Sequence, residues 1–307
     1  MTFSNRLRRT CLAVPATSER ALAKAPTLTA DEVFVDLEDA VVADAKGDEA
    51  RERAARALSE GDWRAPTVSV RINGLSTEWW RRDLELVVRG AAARLDSIVL
   101  PKVESAADVE TVAEVLAGLE AELELERPIA LQAQIESARG LVEVEAIARS
   151  SHRLETLVFG PGDYAASLGV GQRFIGELDP EYPGDQWHYA RSRIAAAAHA
   201  FGLQPIDGPY AALADEESLR ESARLARLLG FQGKWVIHPG QIEVVNAVFS
   251  PTDEELAEAR RILDTLAAAD DSGQGVAVVG GAMVDEASRK LAEGVVRRAR
   301  AAGRDVA

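Results

Sequence analysis

Charged residues recur in this sequence directly behind short β-branched runs. Glu38 and Asp39 follow one run, Arg71 another, and Lys102, Glu136, Asp163, Asp207 and His238 follow others in turn. Two of the carboxylates, Glu136 and Asp163, close neighbouring runs, and a pair so placed can share one hard cation. Mg²⁺ takes oxygen ligands at about 2.0–2.1 Å and leaves the rest of its octahedron to water or substrate; Mn²⁺ is the alternative ion. The plainer reading is two solvated loop acids. Against it, Glu136 ends an apolar run, and Asp163 follows Gly160-Pro161-Gly162, whose small residues let backbone and ligand approach closely. Arg71 ends Val68-Ser69-Val70. Its planar guanidinium can bind a carboxylate or an enolate-type oxygen through two parallel hydrogen bonds, or pair structurally with Glu38 or Asp39. His238, before Pro239, reads either as a general base or as a packed strand-end histidine.

Other chemistries lack their residues. There is no Ser-His-Asp order, no zinc-like Cys/His spacing and no Walker-type phosphate loop. Cys11 is the single cysteine and lies in an apolar run, as a small buried residue does. His152, His188 and His199 show no ligand spacing and read as structural, while Trp79, Trp80 and Trp187 read as packing helices or covering a site.

The elements that must position these groups alternate. Runs at 10–15, 32–39, 67–73, 97–103, 129–136, 154–163, 203–208 and 234–238 are each followed by a polar turn and a segment with helical spacing. Several are nearly continuous apolar stretches, which suits parallel strands buried on both faces. Eight βα units close into a (β/α)8 TIM barrel, and the Gly-rich dinucleotide turn of an open doubly wound sheet is missing after the first run. In a barrel the carboxyl ends of the strands meet at one mouth, so the charged residues named above converge. The stretch 171–186, rich in Gly, Pro and acids, is expected as a long excursion over that mouth. The barrel is placed at 1–250 and a C-terminal helical extension at 251–307. The extension opens with a capping box, Thr252 with Glu255, for a helix reaching about Ala269; a short strand, Gly280-Gly281 and a final amphipathic helix follow.

The 307 residues are 47% hydrophobic and 28% charged, a profile with ample core. The net charge of −15 argues against nonspecific binding to nucleic acid or an anionic membrane. An anionic ligand then needs a local basic pocket. With no membrane-length apolar stretch and no signal core behind the polar start, the expected setting is cytoplasmic.

In order and spacing, six stretches resemble the citrate lyase beta-subunit family. They are Val35-Asp36-Leu37-Glu38-Asp39-Ala40-Val41, Val70-Arg71-Ile72-Asn73-Gly74, Leu100-Pro101-Lys102-Val103-Glu104, Ile135-Glu136-Ser137-Ala138-Arg139-Gly140, the segment from Gly160 to Ser167, and Gly233-Lys234-Trp235-Val236-Ile237-His238-Pro239. Trp187-His188-Tyr189-Ala190 and Pro205-Ile206-Asp207-Gly208-Pro209-Tyr210 point to the family's malyl-CoA lyase branch.

The resemblance implies a Mg²⁺-dependent lyase that cleaves a short 3-hydroxyacyl-CoA thioester, such as L-malyl-CoA or β-methylmalyl-CoA, to acetyl-CoA or propionyl-CoA and glyoxylate. Its alternatives are a citryl-CoA or citramalyl-CoA lyase, including a subunit active only in a citrate lyase complex; a CoA-independent 2-oxoacid aldolase; and a lyase that also hydrolyses the thioester. It implies that Glu136 and Asp163 bind the metal, that Arg71 holds the oxoacid and the developing enolate oxygen, and that Glu38 and Asp39 support that shell. Arg20 and Lys24 would meet CoA phosphates, although Val14-Pro15-Ala16-Thr17 departs from the family's Val-Pro-Gly. A homo-oligomer, trimer or hexamer, follows from relatives whose C-terminal segment covers a neighbouring subunit's site and supplies an acid, here Asp285. Ala282 stands where some relatives carry a basic residue.

Overall fold

The computed structural model describes residues 6–304. Eight parallel strands pair in chain order and the eighth closes on the first: β1 (Thr10–Pro15), β2 (Glu32–Asp36), β3 (Thr67–Arg71), β4 (Ser97–Leu100), β5 (Ala130–Ile135), β6 (Leu154–Phe159), β7 (Gln204–Asp207) and β8 (Gly233–Val236). Each expected run holds a strand, and the fold is the expected barrel. Except for β1, the strands stop earlier than the runs, because the polar residues at their ends turn the chain. After β2, for example, the Asp36 carboxylate accepts hydrogen bonds from the amides of Glu38 (2.9 Å) and Ala40 (3.2 Å). Glu38 and Asp39 therefore stand on a turn. No described helix is long and apolar enough to cross a membrane.

Alternate side chains point inward, in line with the two-residue period of a strand, and they stack in layers. At the amino-terminal end the layer is polar. Glu32 accepts from Arg8 Nε (2.5 Å), Ser69 Oγ (2.7 Å) and Gln132 Nε2 (2.5 Å), and Gln132 Oε1 accepts from Thr156 (3.0 Å). Arg8 also bonds Gln204 at 2.6 Å and pairs with Glu155, so this buried layer is satisfied internally. Above it Cys11, Phe34, Val99, Val158, Ile206 and Trp235 form the apolar middle. Cys11 is buried there, and burial pushes its thiol up, as expected of an inert core cysteine. The third layer, with Asp36, Arg71 and Gln134, opens into the mouth.

Asp207 is not part of that layer. Ile206 faces inward, so its neighbour faces out, where Asp207 accepts from Arg191 Nε (3.0 Å) and from Lys234 Nζ (2.5 Å). Lys234 also reaches Ser222 on the helix Glu216–Leu228 at 3.1 Å. This fully buried cluster clamps β7 and β8 to their outer helices. The sequence expectation that Asp207 joins the mouth is thereby corrected.

The chain divides into two compact units between Asn246 and Ala247, a few residues before the expected boundary, within the helix Ile242–Phe249. In the second unit the Thr252–Glu255 capping box starts the helix Asp253–Asp271, with Glu255 N donating to Thr252 Oγ1 at 3.1 Å. The unit is not wholly helical. Strands β9 (Ala277–Val279) and β10 (Ala282–Val284) form an antiparallel hairpin, turned by Gly280 and Gly281 at φ 58° and 83°. The helix Glu286–Ala301 then returns to the first, and Arg289 pairs with Asp270 at 2.6 Å.

Burial alone would raise the Asp207 carboxyl, but Arg191 and Lys234 outweigh it and hold it below the usual carboxylate range. Asp207→Ala leaves the buried Lys234 without its acid and Arg191 with Asp185 alone, and should cost about 3–5 kcal/mol in urea unfolding at neutral pH. A group with a depressed folded pKa stabilises above its unfolded value of about 3.9 and loses that contribution as pH falls through the folded one. The gap between wild type and variant should therefore be full at pH 7 and close below about pH 4.

Candidate active site

At the carboxyl ends of the strands lies a cavity of about 570 Å³ whose lining includes Asp36, Asp39, Arg71, Gln134, Glu136, Gly160 and Asp163. Arg71, the last residue of β3, makes a two-pronged bond to Asp36, with Nε to Oδ1 at 2.8 Å and Nη2 to Oδ2 at 2.6 Å. Its Nη1 has only long contacts: 3.3 Å to Glu38 Oε2, 3.3 Å to Asp39 Oδ2 and 3.4 Å to Gln134 Oε1. The guanidinium carbon lies 5.4 Å from the centroid of the Trp235 ring, a cation–π arrangement. The pairing with Glu38 and Asp39 left open by sequence is present, yet the dominant partner is Asp36, which sequence reasoning passed over. The two-residue period was the available signal, since Asp36 continues the inward face of Glu32 and Phe34.

Glu136 follows β5 and is almost fully buried. Its Oε1 accepts from the Lys102 amide at 2.7 Å and its Oε2 from Gln134 Nε2 at 2.5 Å. Burial pushes its carboxyl up to about 8; Arg71 opposes the shift and Asp163 adds to it. Gly160 makes this placement possible, because a Cβ there would fall 2.4 Å from Glu136 Cβ and 2.6 Å from Oε2. Asp163 belongs to no strand. It is the third residue of the helix Pro161–Leu168, which starts on a proline, and is half-exposed in a first turn that favours an acid.

Lys102 ties the acids together. Its backbone is left-handed, at φ 53°, which is unusual for a residue with a Cβ. This turns its amide toward Glu136 and sends its ammonium across the mouth to Glu38, to Asp39 Oδ1 (3.5 Å) and to Asp163 Oδ2 (3.3 Å). The sequence placed Lys102 at a strand end without a role; the backbone conformation that gives it one has no sequence signal. Burial raises the Glu38 carboxyl, while Arg71 holds the half-exposed Asp39 down against its own partial burial. Lys46 pins the turn that carries them, donating to the Glu38 carbonyl (2.9 Å) and to Asn73 Oδ1 (2.5 Å).

The remaining candidates have other surroundings. Arg20 and Lys24, four residues apart on the helix Glu19–Lys24, are exposed, and neither side chain pairs with a described residue. Asp285 belongs to the second unit and caps the helix Glu286–Ala301: its Oδ1 accepts from the amides of Ala287 (3.0 Å) and Ser288 (3.1 Å). His238 is exposed and its Nδ1 accepts from the Gly240 amide at 3.1 Å, so it caps a turn instead of packing under the strand. Trp187 is buried against Phe159 and Tyr164, as expected of a packing residue.

The donor set suits a hard divalent cation. Asp36, Glu38, Asp39, Glu136 and Asp163 stand against two cations, Arg71 and Lys102, so negative charge is in excess. Among the described residues no three His, Cys, Asp or Glu side chains form a ready metal cage. Glu136 and Asp163 provide two carboxylates on one cavity, and Mg²⁺, which keeps several waters and is commonly held by one or two carboxylates, needs no more.

Residues 9–239 match the HpcH/HpaI aldolase/citrate lyase family, and residues 191–303 match a C-C bond lyase family of the TIM-barrel fold. The chain belongs to the HpcH/HpaI aldolase/citrate lyase family. Within it, the chain is 41% identical to an L-malyl-CoA/beta-methylmalyl-CoA lyase of Cereibacter sphaeroides, over 93% of this chain and 91% of that one. A (3S)-malyl-CoA thioesterase of the same organism is 40% identical over 90% and 89% of the two chains. Among solved structures, the protein CitE of Mycobacterium tuberculosis, in complex with magnesium, acetoacetate and coenzyme A, superposes with a TM-score of 0.76 at 34% identity, covering 95% of this chain and 97% of that one. The family indicated by the sequence motifs is the family found.

Gly160→Ala should force Glu136 out of its place. Overpacking of this kind costs about 1–3 kcal/mol, measurable by urea unfolding. Divalent-cation binding measured by calorimetry should weaken in parallel, and an unchanged cation affinity would show that Glu136 is not held by this contact.

Proposed function

We propose that this protein is a Mg²⁺-dependent lyase that reversibly cleaves a short 3-hydroxyacyl-CoA, L-malyl-CoA or β-methylmalyl-CoA, to acetyl-CoA or propionyl-CoA and glyoxylate by retro-Claisen chemistry. The observation that carries the reading is the convergence on one cavity of Glu136, Asp163 and Arg71, whose Nη1 is held only by long bonds. Its substrate follows from the CoA-lyase relatives described above.

Glu136 and Asp163 hold the metal, which when bound supplies a Lewis acid that lowers the pKa of the substrate hydroxyl. Arg71 acts on the other product. With Nε and Nη2 fixed by Asp36, it turns Nη1 toward the thioester oxygen where charge accumulates as the carbon–carbon bond breaks. Glu38, Asp39 and Lys102 keep that guanidinium and the acids in register. Arg20 and Lys24, exposed and without a partner among the described residues, meet the CoA phosphates and provide the local basic pocket that a chain of net charge −15 requires.

Asp285 exchanges the proton at the acyl carbon, in a neighbouring copy within a homo-oligomer, a trimer or hexamer. The amides of Ser288 and Ala287 hold its carboxyl below the ordinary range, which keeps it in the base form that condensation needs. A cytoplasmic setting accords with the one buried, unpaired cysteine. The thioesterase relative supports a second reading, in which the product thioester is also hydrolysed; free CoA released from acetyl-CoA plus glyoxylate distinguishes the two.

Glu136→Ala and Asp163→Ala should each lose all Mg²⁺-stimulated turnover of malyl-CoA. Both should stay folded, Asp163→Ala with little change in thermal midpoint and Glu136→Ala with a lower one, since the Lys102 amide and Gln134 lose their acceptor. Wild-type rates in EDTA would falsify the metal assignment. Asp285→Ala should slow exchange of the acetyl-CoA methyl protons with solvent while substrate still binds; exchange at the wild-type rate would remove Asp285 from the reaction.

A further inference from the structure

The cavity has two unlike walls. Asp36, Arg71 and Glu136, from the β2, β3 and β5 side, make one wall charged; on the other, from segments behind β6, β7 and β8, Pro161, Ile175, Pro209 and Ile237 give an apolar surface beside Asp163 and Gln172. Ile175 stands out on the apolar side. It lies in the excursion between the helices Pro161–Leu168 and His188–Ala200, and 42% of it remains exposed. Its Cδ1 and Cγ1 lie 3.2 Å from where a Cβ on Gly162 would stand. It therefore covers the residue next to Asp163.

The excursion holds this side chain as a fixed wall. The Ile175 carbonyl accepts from the Ala211 amide at 2.9 Å. Gly176, at φ 85°, packs so closely that a Cβ there would fall 2.4 Å from the Pro209 carbonyl oxygen. At the far end of the excursion, Asp185 pairs with the buried Arg191 at 2.7 Å, and Trp187 Nε1 donates to the Glu177 carbonyl at 3.1 Å. Anchored at both points, the loop cannot yield easily to a larger ligand.

We infer that Ile175 sets the size of the oxoacid side chain accepted beside Asp163, admitting the hydrogen of glyoxylate and restricting a methyl or larger group. The inference rests on the function proposed above, because it takes the oxoacid to sit at Asp163. Glu136 and Asp163, through the cation they would hold, would take the carboxylate end, and the substituent on the carbonyl carbon is left facing Ile175. Excluding one methyl by an apolar wall is worth about 10- to 200-fold in kcat/KM.

Initial rates of condensation of acetyl-CoA with glyoxylate and with pyruvate, in the presence of Mg²⁺, test this in the wild type, Ile175→Val, Ile175→Ala and Ile237→Ala. The pyruvate-to-glyoxylate ratio of kcat/KM should rise about tenfold or more in Ile175→Ala and by less in Ile175→Val. It should stay within about twofold in Ile237→Ala, which opens the same cavity elsewhere. Calorimetric titration of the Mg²⁺-loaded Ile175→Ala protein should show pyruvate binding tighter than to the wild type. If the wild type condenses glyoxylate but Ile175→Ala leaves the ratio within about twofold, the wall is not Ile175 and the inference is overturned while the lyase reading stands. A wild type that condenses neither oxoacid overturns the lyase reading, and this inference with it.

Discussion

The two-pronged bond between Arg71 and Asp36 is the interaction on which the barrel mouth rests. Both groups are buried, and either alone would carry a desolvation cost of several kcal/mol. Paired at 2.6 and 2.8 Å they offset most of it, and the geometry fixes the guanidinium plane above Trp235. Only Nη1 is left with long contacts. A guanidinium saturated on every edge would be inert, and an unpaired one would not stay buried; partial satisfaction is what makes it usable at a developing negative charge.

The two ends of the barrel treat buried charge differently. At the amino-terminal end Glu32 accepts three hydrogen bonds, and Arg8 bridges two acids and Gln204. Nothing there remains to be gained by binding a ligand. At the carboxyl end Glu38 Oε2 has no hydrogen bond among the described residues, Glu136 is pushed up to about 8, and the acids outnumber their cations. The closed end supports the fold at little functional cost, and the open end keeps an unfavourable charge balance that a ligand can relieve.

The fold was legible because burial on both faces forces parallel strands into continuous apolar runs, and eight such runs with helices between them leave few architectures. Arg71 and Glu136 could be placed at the mouth because the inward face of their runs can be counted, and Asp163 because Gly160-Pro161-Gly162 turns the chain just before it. The misses have physical causes. Asp207 also ends a run, but one residue of register turns it outward into the clamp with Arg191 and Lys234. Asp36 was hidden by the more conspicuous acids two and three residues later. Lys102 depends on a left-handed backbone that local sequence does not announce, and of the β9–β10 hairpin only one short strand was expected, because the three residues after Gly280-Gly281 are too few to read as a second.

The availability of these cations grades with their exposure. Arg71 is buried and mostly committed; Lys102 is half-exposed and shared among three carboxylates; Arg20 and Lys24 are exposed and unpaired among the described residues. In the proposed reaction the same gradient follows the substrate. A highly charged, well-hydrated phosphate end is best met by mobile surface cations whose contacts are screened and reversible. The reacting oxygen acquires its charge only in transit, and it is best met by a cation that is already desolvated and fixed. Exchanging the two kinds of site would bind the phosphates too rigidly to release them and leave the reacting centre solvated, so a chain of strongly negative net charge can serve an anionic thioester only by keeping its few free cations outside and its constrained one within.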